Sequence, residues 1–251
     1  MIRRLVVGLA AAAAVTLAAP ATAITNGTAD GQHHPNVGGL VAPKAYSDGT
    51  WVYCSGTLIS PTVFLTAAHC DEGGDDRVRV TFSTAYKDGD PTYSGTFQAD
   101  PAYNQKQSDP HDIAVVTLDE PVKGITPAEL PEANSLGRLP SDQKFTSVGY
   151  GAYKVTNQPG GHRYLYDDVR MKATGTLNAV NRAWLRISMN PATGNGGTCY
   201  GDSGGPNFLD DTAVVAGTTI TGDAVCRSTN VVYRLDTRSA RTFLDQYVAL
   251  P

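Results

Sequence analysis

The amino-acid sequence predicts an all-β protein, a barrel or a sandwich, that ends in one helix. The chain has 251 residues, of which 41% are hydrophobic, and this is enough for a sizeable core in one or two compact units. Its apolar runs are short, and Gly, Pro and Asn residues separate them. Many short runs bounded by turn residues are typical of an antiparallel barrel or sandwich. Only near the C-terminus does an apolar stripe with helical spacing stand out.

The predicted strands are short runs in which apolar residues stand beside turn signals. They are Gly56–Ile59, Val63–Thr66, Arg77–Phe82, Asp112–Leu118, Lys144–Val148, Val169–Ala173, Trp184–Ser188, Ala213–Ala216 and Asn230–Leu235.

The C-terminal helix is predicted from five apolar residues that repeat at helical spacing. Asp236 or Thr237 can cap its start, and Pro251 follows it. The apolar stripe consists of Ala240, Phe243, Leu244, Tyr247 and Val248.

Residues 1–23 have the pattern of a secretory signal peptide. A basic start with Arg3 and Arg4 precedes an apolar, Ala-rich run, and small residues at Ala21 and Ala23 suit a cleavage site. The alternative, a membrane anchor, is disfavoured because the run is shorter than the ~20 residues that a span needs. We therefore expect a secreted, extracellular protein that begins near Ile24 and is not bound to a membrane.

The charge balance argues against nucleic acid as a partner. Without residues 1–23, 18 Lys and Arg residues remain against 24 Asp and Glu residues, a net charge of −6. An acidic protein repels phosphate backbones.

The four cysteines are expected to form disulfides, because an exported chain meets an oxidising compartment. No C-x-x-C spacing indicates zinc, and four cysteines allow three pairings. We favour the local pairing, Cys54 with Cys70 and Cys199 with Cys226.

The stretch Gly201–Pro206, GDSGGP, surrounds one serine with small residues and one acid. These are turn-forming residues, so the stretch alone could be an ordinary loop. A reactive serine needs a base, and all five histidines precede Ser203. The G-x-S-x-G elbow of α/β-hydrolases requires its histidine after the serine, so that interpretation fails.

Three motifs in the order His, Asp, Ser carry a family resemblance. They are TAAHC at 66–70, DIAV at 112–115 and GDSGGP at 201–206. In this order and spacing the chain resembles the chymotrypsin/trypsin family of serine peptidases. The resemblance implies two packed six-stranded antiparallel β-barrels: residues 24–130 with the histidine and aspartate, and 131–251 with the nucleophile, the specificity pocket and the helix.

The resemblance also implies the catalytic roles. Ser203 would attack the scissile carbonyl, His69 would carry the proton, and Asp112 would orient the imidazole. The backbone N–H groups of Gly201 and Ser203 would form the oxyanion hole. His111, next to Asp112 on a predicted strand, is expected to point away.

In this family the aspartate before the nucleophile pairs with a new N-terminal amine. Here the pair would be Asp202 and Ile24, with signal-peptide cleavage creating the amine. The Ile-Thr start differs slightly from the family's usual Ile-Val.

The specificity pocket is assigned by the same resemblance to Gly197, Gly222 and Val231. Gly197 stands six positions before Ser203, where trypsin-like members have an aspartate. A neutral, narrowed pocket predicts apolar rather than basic substrate side chains. Ile220 replaces a serine that supports the catalytic aspartate in relatives, and a neighbouring threonine is expected to take over.

No metal or cofactor is expected. The acidic stretch at 71–76 is interpreted as a solvated loop, and the alternative is a calcium site. The pair His33 and His34 has no evident third ligand.

The sequence thus predicts a secreted serine endopeptidase that works through an acyl-enzyme on a Ser-His-Asp triad. The alternatives are an inactive protease-like binding protein and an esterase on the same fold. The expected partners are polypeptide substrates and protein protease inhibitors, and we expect a monomer.

Overall fold

Two antiparallel β-barrels contain almost all of the regular structure. The structure is a computed structural model that describes residues 24–73 and 76–251. The predicted signal peptide at 1–23 and part of the acidic loop lie outside the described residues. In the described ranges, no helix is long and apolar enough to cross a membrane.

The first barrel closes because the strands at Val37–Val41 and Arg77–Thr81, which end its strand order, also pair with each other. A two-residue strand, β1 (Thr28–Ala29), precedes it. The strands of the barrel are β2 (Val37–Val41), β3 (Val52–Ser60), β4 (Val63–Thr66), β5 (Arg77–Thr81), β6 (Tyr93–Ala99) and β7 (Ala114–Leu118). They are joined in the order β2-β3-β4-β7-β6-β5, and Leu40, Leu58, Phe64 and Val116 fill the interior.

The second barrel is also built from six strands. The elements of this half are β8 (Lys144–Gly149), β9 (Lys154–Gln158), β10 (Gly161–Leu165), β11 (Met171–Val180), β12 (Trp184–Ser188), β13 (Pro206–Leu209), β14 (Val215–Gly222) and β15 (Thr229–Arg234). The order β11-β12-β15-β14-β13-β8 closes through a pairing of β8 with β11, while β9 and β10 form a separate hairpin. Phe145, Leu185, Ile187 and Val232 belong to its core.

A third apolar cluster joins the two barrels. Val37 and Leu65 of the first barrel pack in it with Phe208 and Tyr233 of the second. Burial of such side chains stabilises the contact by roughly 1.5–3 kcal/mol each. The cleft described below lies where the barrels meet.

The C-terminal helix α1 (Arg238–Leu244) packs against this shared cluster. Thr237 caps it, as expected, by accepting a hydrogen bond from the backbone N–H of Ala240. The helix ends before Tyr247 and Val248, but both side chains still pack on the cluster.

The N-terminal segment belongs structurally to the second barrel. Strand β1 pairs with β11, and Thr25 pairs with Gly197. A fully buried ion pair between Arg170 and Asp30 (Nε to Oδ2, 3.1 Å) also holds the segment. The predicted division near residue 130 falls between the last strand of one barrel and the first of the other, and it stays a prediction.

Candidate active site

His69 and Asp112 come together because β4 and β7 are paired. Thr66 at the end of β4 lies opposite Ala114 at the start of β7. Past that pair, a short 3₁₀ turn (Ala68–Cys70) carries His69, and Asp112 precedes the strand. The His69 Nδ1 lies 2.8 Å from Asp112 Oδ2, and the His69 backbone N–H donates to Oδ1 at 3.0 Å. Both carboxylate oxygens therefore hold one histidine.

His111 points away from this pair, but for a different reason than the expected one. The strand β7 begins only at Ala114, so strand alternation does not act at His111. Instead the residue has a left-handed backbone with φ of +50°. This turns its ring toward Asp100, with Nδ1 3.0 Å from Oδ2.

The turn around Ser203 requires glycine at two positions. Gly201 has φ of +93° and Gly204 has φ of +77°, conformations that residues with a side chain rarely adopt. A Cβ on Gly201 would lie 2.9 Å from the Cα of Gly151, and one on Gly204 would collide with the Thr66 hydroxyl. The chain around Ser203 therefore passes close to both barrels.

In the described part of the chain, two of the four backbone N–H groups at residues 201–204 have acceptors and two do not. The N–H of Asp202 donates to the Cys199 carbonyl, and the N–H of Gly204 donates to the Thr219 carbonyl. In the described part of the chain, the N–H groups of Gly201 and Ser203 have no acceptor. Two such free donors on one turn can stabilise a developing negative charge.

Ser55 on β3 holds the turn from the first barrel, and sequence reasoning missed it. Its hydroxyl donates to the Gly201 carbonyl at 2.9 Å and accepts from the N–H of Tyr150 at 2.9 Å. Its own N–H donates to the Ser203 carbonyl at 2.8 Å. The one available signal was its position next to Cys54, which was not enough to assign this role.

A cavity of about 240 Å³ opens beside the serine, and His69 and Ser203 both line it. Within residues 24–73 and 76–251, the Ser203 hydroxyl has no hydrogen-bond partner. The other lining residues include Thr198, Tyr200, Thr219, Gly222 and Asp223.

The three predicted pocket residues are placed differently from one another. Gly222 lines the cavity beside Ser203. Gly197 is buried, and a Cβ there would collide with Met189. Val231 lines a neighbouring cavity instead, together with Thr221, its partner across β14 and β15. The narrowing of the specificity pocket by Val231 stays a prediction.

One carboxylate, Asp223, lies at the cavity, but it is already bonded to backbone. Its oxygens accept from the N–H groups of Arg227, Ser228 and Thr229. Burial raises the pKa of Asp223, but the three N–H groups together hold that pKa below its ordinary value.

Among the described residues, neither Ile220 nor a threonine bonds to Asp112. The residue sits at a register shift in β14, between Thr219 and Thr221. The Thr219 hydroxyl accepts from the side-chain amide of Asn207 at 3.1 Å. In the ranges that the structure describes, Asp112 accepts hydrogen bonds from His69 alone, which corrects the expectation of a threonine donor.

Asp202 is fully buried beneath the turn. Burial raises the pKa of its carboxyl to about 7, although the N–H groups of Cys199 and Gly151 bond to the charged form and oppose the shift. Ile24 is fully buried against Met171. No hydrogen bond joins Ile24 to Asp202 within the described residues, and the Ile24 nitrogen here forms a peptide bond with Ala23. The activation pair stays a prediction.

Both expected disulfides are present, Cys54–Cys70 and Cys199–Cys226. The first ties the residue after His69 to β3. The second lines the cavity beside Ser203. Together they brace both sides of the site.

The two histidines considered as metal ligands, His33 and His34, have other contacts. His34 Nδ1 lies 2.6 Å from Asp30 Oδ1, and its ring stacks on Phe208. His33 Nδ1 lies 2.5 Å from the Asp30 carbonyl. Residues 74 and 75 of the acidic loop lie outside the described residues, so the choice between a solvated loop and a calcium site stays open.

The fold and the cleft define a class, the chymotrypsin-like proteins with two six-stranded barrels. The sequence model of the trypsin family, described as "Trypsin", matches residues 30–244. The chain belongs to the trypsin family of serine proteases.

Individual relatives agree with this family. The chain is 32% identical to a trypsin of Saccharopolyspora erythraea over 208 residues, 78% of this chain and 85% of that protein. It is 31% identical to glucanase inhibitor protein 3 of Phytophthora sojae over 164 residues, 61% of this chain and 60% of that protein. The solved structure of HL collagenase has the same fold, with a TM-score of 0.65 and 20% identity over 85% of this chain and 93% of the other.

Proposed function

We propose that the protein is a secreted serine endopeptidase with Ser203 as nucleophile, His69 as base and Asp112 as the group that orients it. One observation carries the proposal. A histidine bonded to a buried aspartate lines the same cavity as a serine hydroxyl, and neither this hydroxyl nor two neighbouring backbone N–H groups have a partner among the described residues.

The reaction follows from these groups. Ser203 Oγ adds to the carbonyl carbon while its proton passes to His69 Nε2. The carbonyl oxygen becomes negative and accepts from the N–H groups of Gly201 and Ser203. Collapse breaks the peptide bond, and His69 gives its proton to the leaving amine.

A water molecule then repeats the cycle. It adds to the acyl carbon as its proton passes to His69, and the proton returns to Ser203 Oγ when the acid leaves. Throughout, Asp112 accepts from His69 Nδ1 and stabilises the imidazolium.

The proposed substrate preference is for apolar side chains. The cavity is lined by threonines, Gly222 and a disulfide, and its one carboxylate among the described lining residues is bonded to three backbone N–H groups. A panel of peptides that differ in the residue before the cleaved bond tests this. Preferred cleavage after Arg would contradict it.

Activation is proposed to follow from signal-peptide cleavage. A free α-amine is mostly charged at neutral pH, and a charged Ile24 amine would pair with the buried Asp202. A chain that keeps two extra residues before Ile24 should be nearly inactive. Mass spectrometry must show that this chain is uncut. Full activity of that chain would contradict this step.

A second candidate is an inactive protein that binds partners through the cleft, which the similarity to glucanase inhibitor proteins favours. A third is an esterase. Labelling by a fluorophosphonate, absent in Ser203→Ala, separates the first and third candidates from the second. Digestion of casein separates the first from the third. Absence of labelling in the wild-type protein would contradict the proposed role of Ser203 as nucleophile.

A further inference from the structure

A second cavity, of about 400 Å³, lies directly beside the catalytic one. Ile220 and Thr221 line both, so the two spaces meet at the end of β14. The remaining wall of the second cavity includes Trp184 and Arg186 from β12 and Gln105 and Gln107 from the loop before β7.

Strand pairing places Arg186 in line with the catalytic cleft. Arg186 lies opposite Val231, and Val231 lies opposite Thr221, so the three residues form a row across β12, β15 and β14. Neighbouring strands are about 4.8 Å apart, which puts Arg186 roughly 10 Å from Thr221. This distance is about three residues of extended chain.

Side-chain alternation on β12 directs Arg186 toward the cavity. Leu185 and Ile187 are buried in the core of the second barrel. Trp184 and Arg186, on either side of Leu185, therefore face outward on the opposite side of the sheet. Trp184 is half-buried and supplies an apolar surface, while Arg186 is exposed.

The charge of Arg186 is not neutralised. In the part of the chain that the structure describes, its guanidinium has neither an ion-pair nor a hydrogen-bond partner. The one acid that lines this cavity, Asp112, has both oxygens bonded to His69. A carboxylate that enters would meet a guanidinium and two amides, a set of donors that suits it.

We propose that this second cavity selects an acidic side chain of the substrate, held by Arg186, within four residues before the cleaved bond. The inference rests on the proposed peptidase function and adds a second determinant to it. Two separate cavities would then bind the substrate: one the apolar residue beside the cleaved bond, the other the acidic residue farther away.

The test uses fluorogenic peptide amides in which Glu, Gln or Lys stands at each of the four positions before the cleaved bond. For at least one position, the wild-type protein should cleave the Glu peptide about 5- to 10-fold more efficiently in kcat/KM than the Gln peptide. Arg186→Ala should remove this ratio, and Arg186→Glu should favour Lys. Arg182→Ala is the matched control, because Arg182 is also exposed but lines a different cavity.

Two measurements distinguish a failure of this inference from a failure of the proposed peptidase function. Fluorophosphonate labelling of Ser203 should be equal in all Arg186 variants. Ser203→Ala should bind the Glu peptide more tightly than the Gln peptide, and Arg186→Ala should abolish that difference in this background.

Normal labelling and cleavage with no preference for Glu, or a preference that survives in Arg186→Ala, would overturn the inference alone. Absence of labelling and of all cleavage would overturn the function and the inference together.

Discussion

The Ser55 hydroxyl of the first barrel donates a hydrogen bond to the Gly201 carbonyl of the second at 2.9 Å. Gly201 is the residue whose N–H group is proposed to hold the oxyanion. Because the donor and the acceptor belong to different barrels, this one contact connects the packing of the barrels to the geometry of the turn around Ser203.

Replacing Ser55 by Ala should therefore lower both the stability of the fold and the catalytic rate. The change leaves the part-buried Gly201 carbonyl and the buried Tyr150 N–H without the partner they have in Ser55, which costs about 1–3 kcal/mol of unfolding free energy. We expect kcat to fall about tenfold, because the oxyanion donors lose alignment, with KM nearly unchanged. Urea unfolding and steady-state kinetics measure the two effects.

Ser60→Ala is the control, since Ser60 lies on the same strand and, among the described residues, its hydroxyl is bonded to the N–H of Thr62 alone. Equal kcat in Ser55→Ala and Ser60→Ala would show that the contact does not govern the turn.

Sequence reasoning was most successful where a local pattern determines the structure. Short apolar runs gave the all-β class, and the spacing of Phe243 and Leu244 gave the helix. The order of the three motifs, through the family resemblance, predicted that His69 and Asp112 lie together. The local disulfide pairing was also correct, because both pairs are close in sequence and close in the fold.

The rest depended on packing between distant segments, which one sequence does not display. Strand β2 contains two glycines and β6 is mostly polar, so neither shows a clear apolar pattern. The roles of Ser55 and Val231 follow from strand register across the barrels. The position of His111 follows from a positive φ that an ordinary residue seldom adopts.

Replacing Gly201 by Ala should abolish most activity. The new Cβ would lie 2.9 Å from Gly151 Cα, and φ of +93° is strained for alanine. The turn must shift, which removes at least one oxyanion donor and should lower kcat by about 10²- to 10³-fold. Kinetics on a peptide amide measure this loss.

Gly124→Ala is the control for backbone strain alone, because Gly124 also has a positive φ, of +77°, but a Cβ there meets nothing within 4 Å. Retention of kcat within a few-fold in Gly201→Ala would contradict the assignment of the oxyanion donor.

Replacing Asp112 by Asn should leave the fold intact and remove the function of His69. One carboxylate oxygen accepts from His69 Nδ1 and the other from its backbone N–H. An amide offers only one acceptor, so either the imidazole takes the wrong tautomer or two donors face each other. We expect kcat to fall about 10⁴-fold, the magnitude that this change has in the family's template enzyme.

The exposed Asp119 provides the control, and Asp119→Asn should keep full activity. Circular dichroism confirms folding of both variants. A loss of less than tenfold in folded Asp112→Asn would mean that another group orients the base.

The buried Asp202 should make the uncleaved chain less stable as the pH rises. Its pKa is about 7 in the fold, and an unfolded aspartate titrates near 3.9. Between these values the folded state binds one proton more than the unfolded state, so the free energy of unfolding falls as the pH increases from about 4 to 7. The total loss should amount to a few kcal/mol, and it should stop above the folded pKa.

Urea unfolding of a chain that keeps residues before Ile24 measures this slope, with Ser203→Ala added to prevent self-digestion. The control is the same chain with Asp202→Asn, in which the amide does not titrate, so the difference between the two chains isolates Asp202 from the other ionisable groups. In chain cleaved before Ile24, a charged amine beside Asp202 would lower the pKa of its carboxyl, so the fall in stability between pH 4 and 7 should disappear. Identical slopes in the uncleaved chain with and without Asp202→Asn would mean that Asp202 does not titrate in this range.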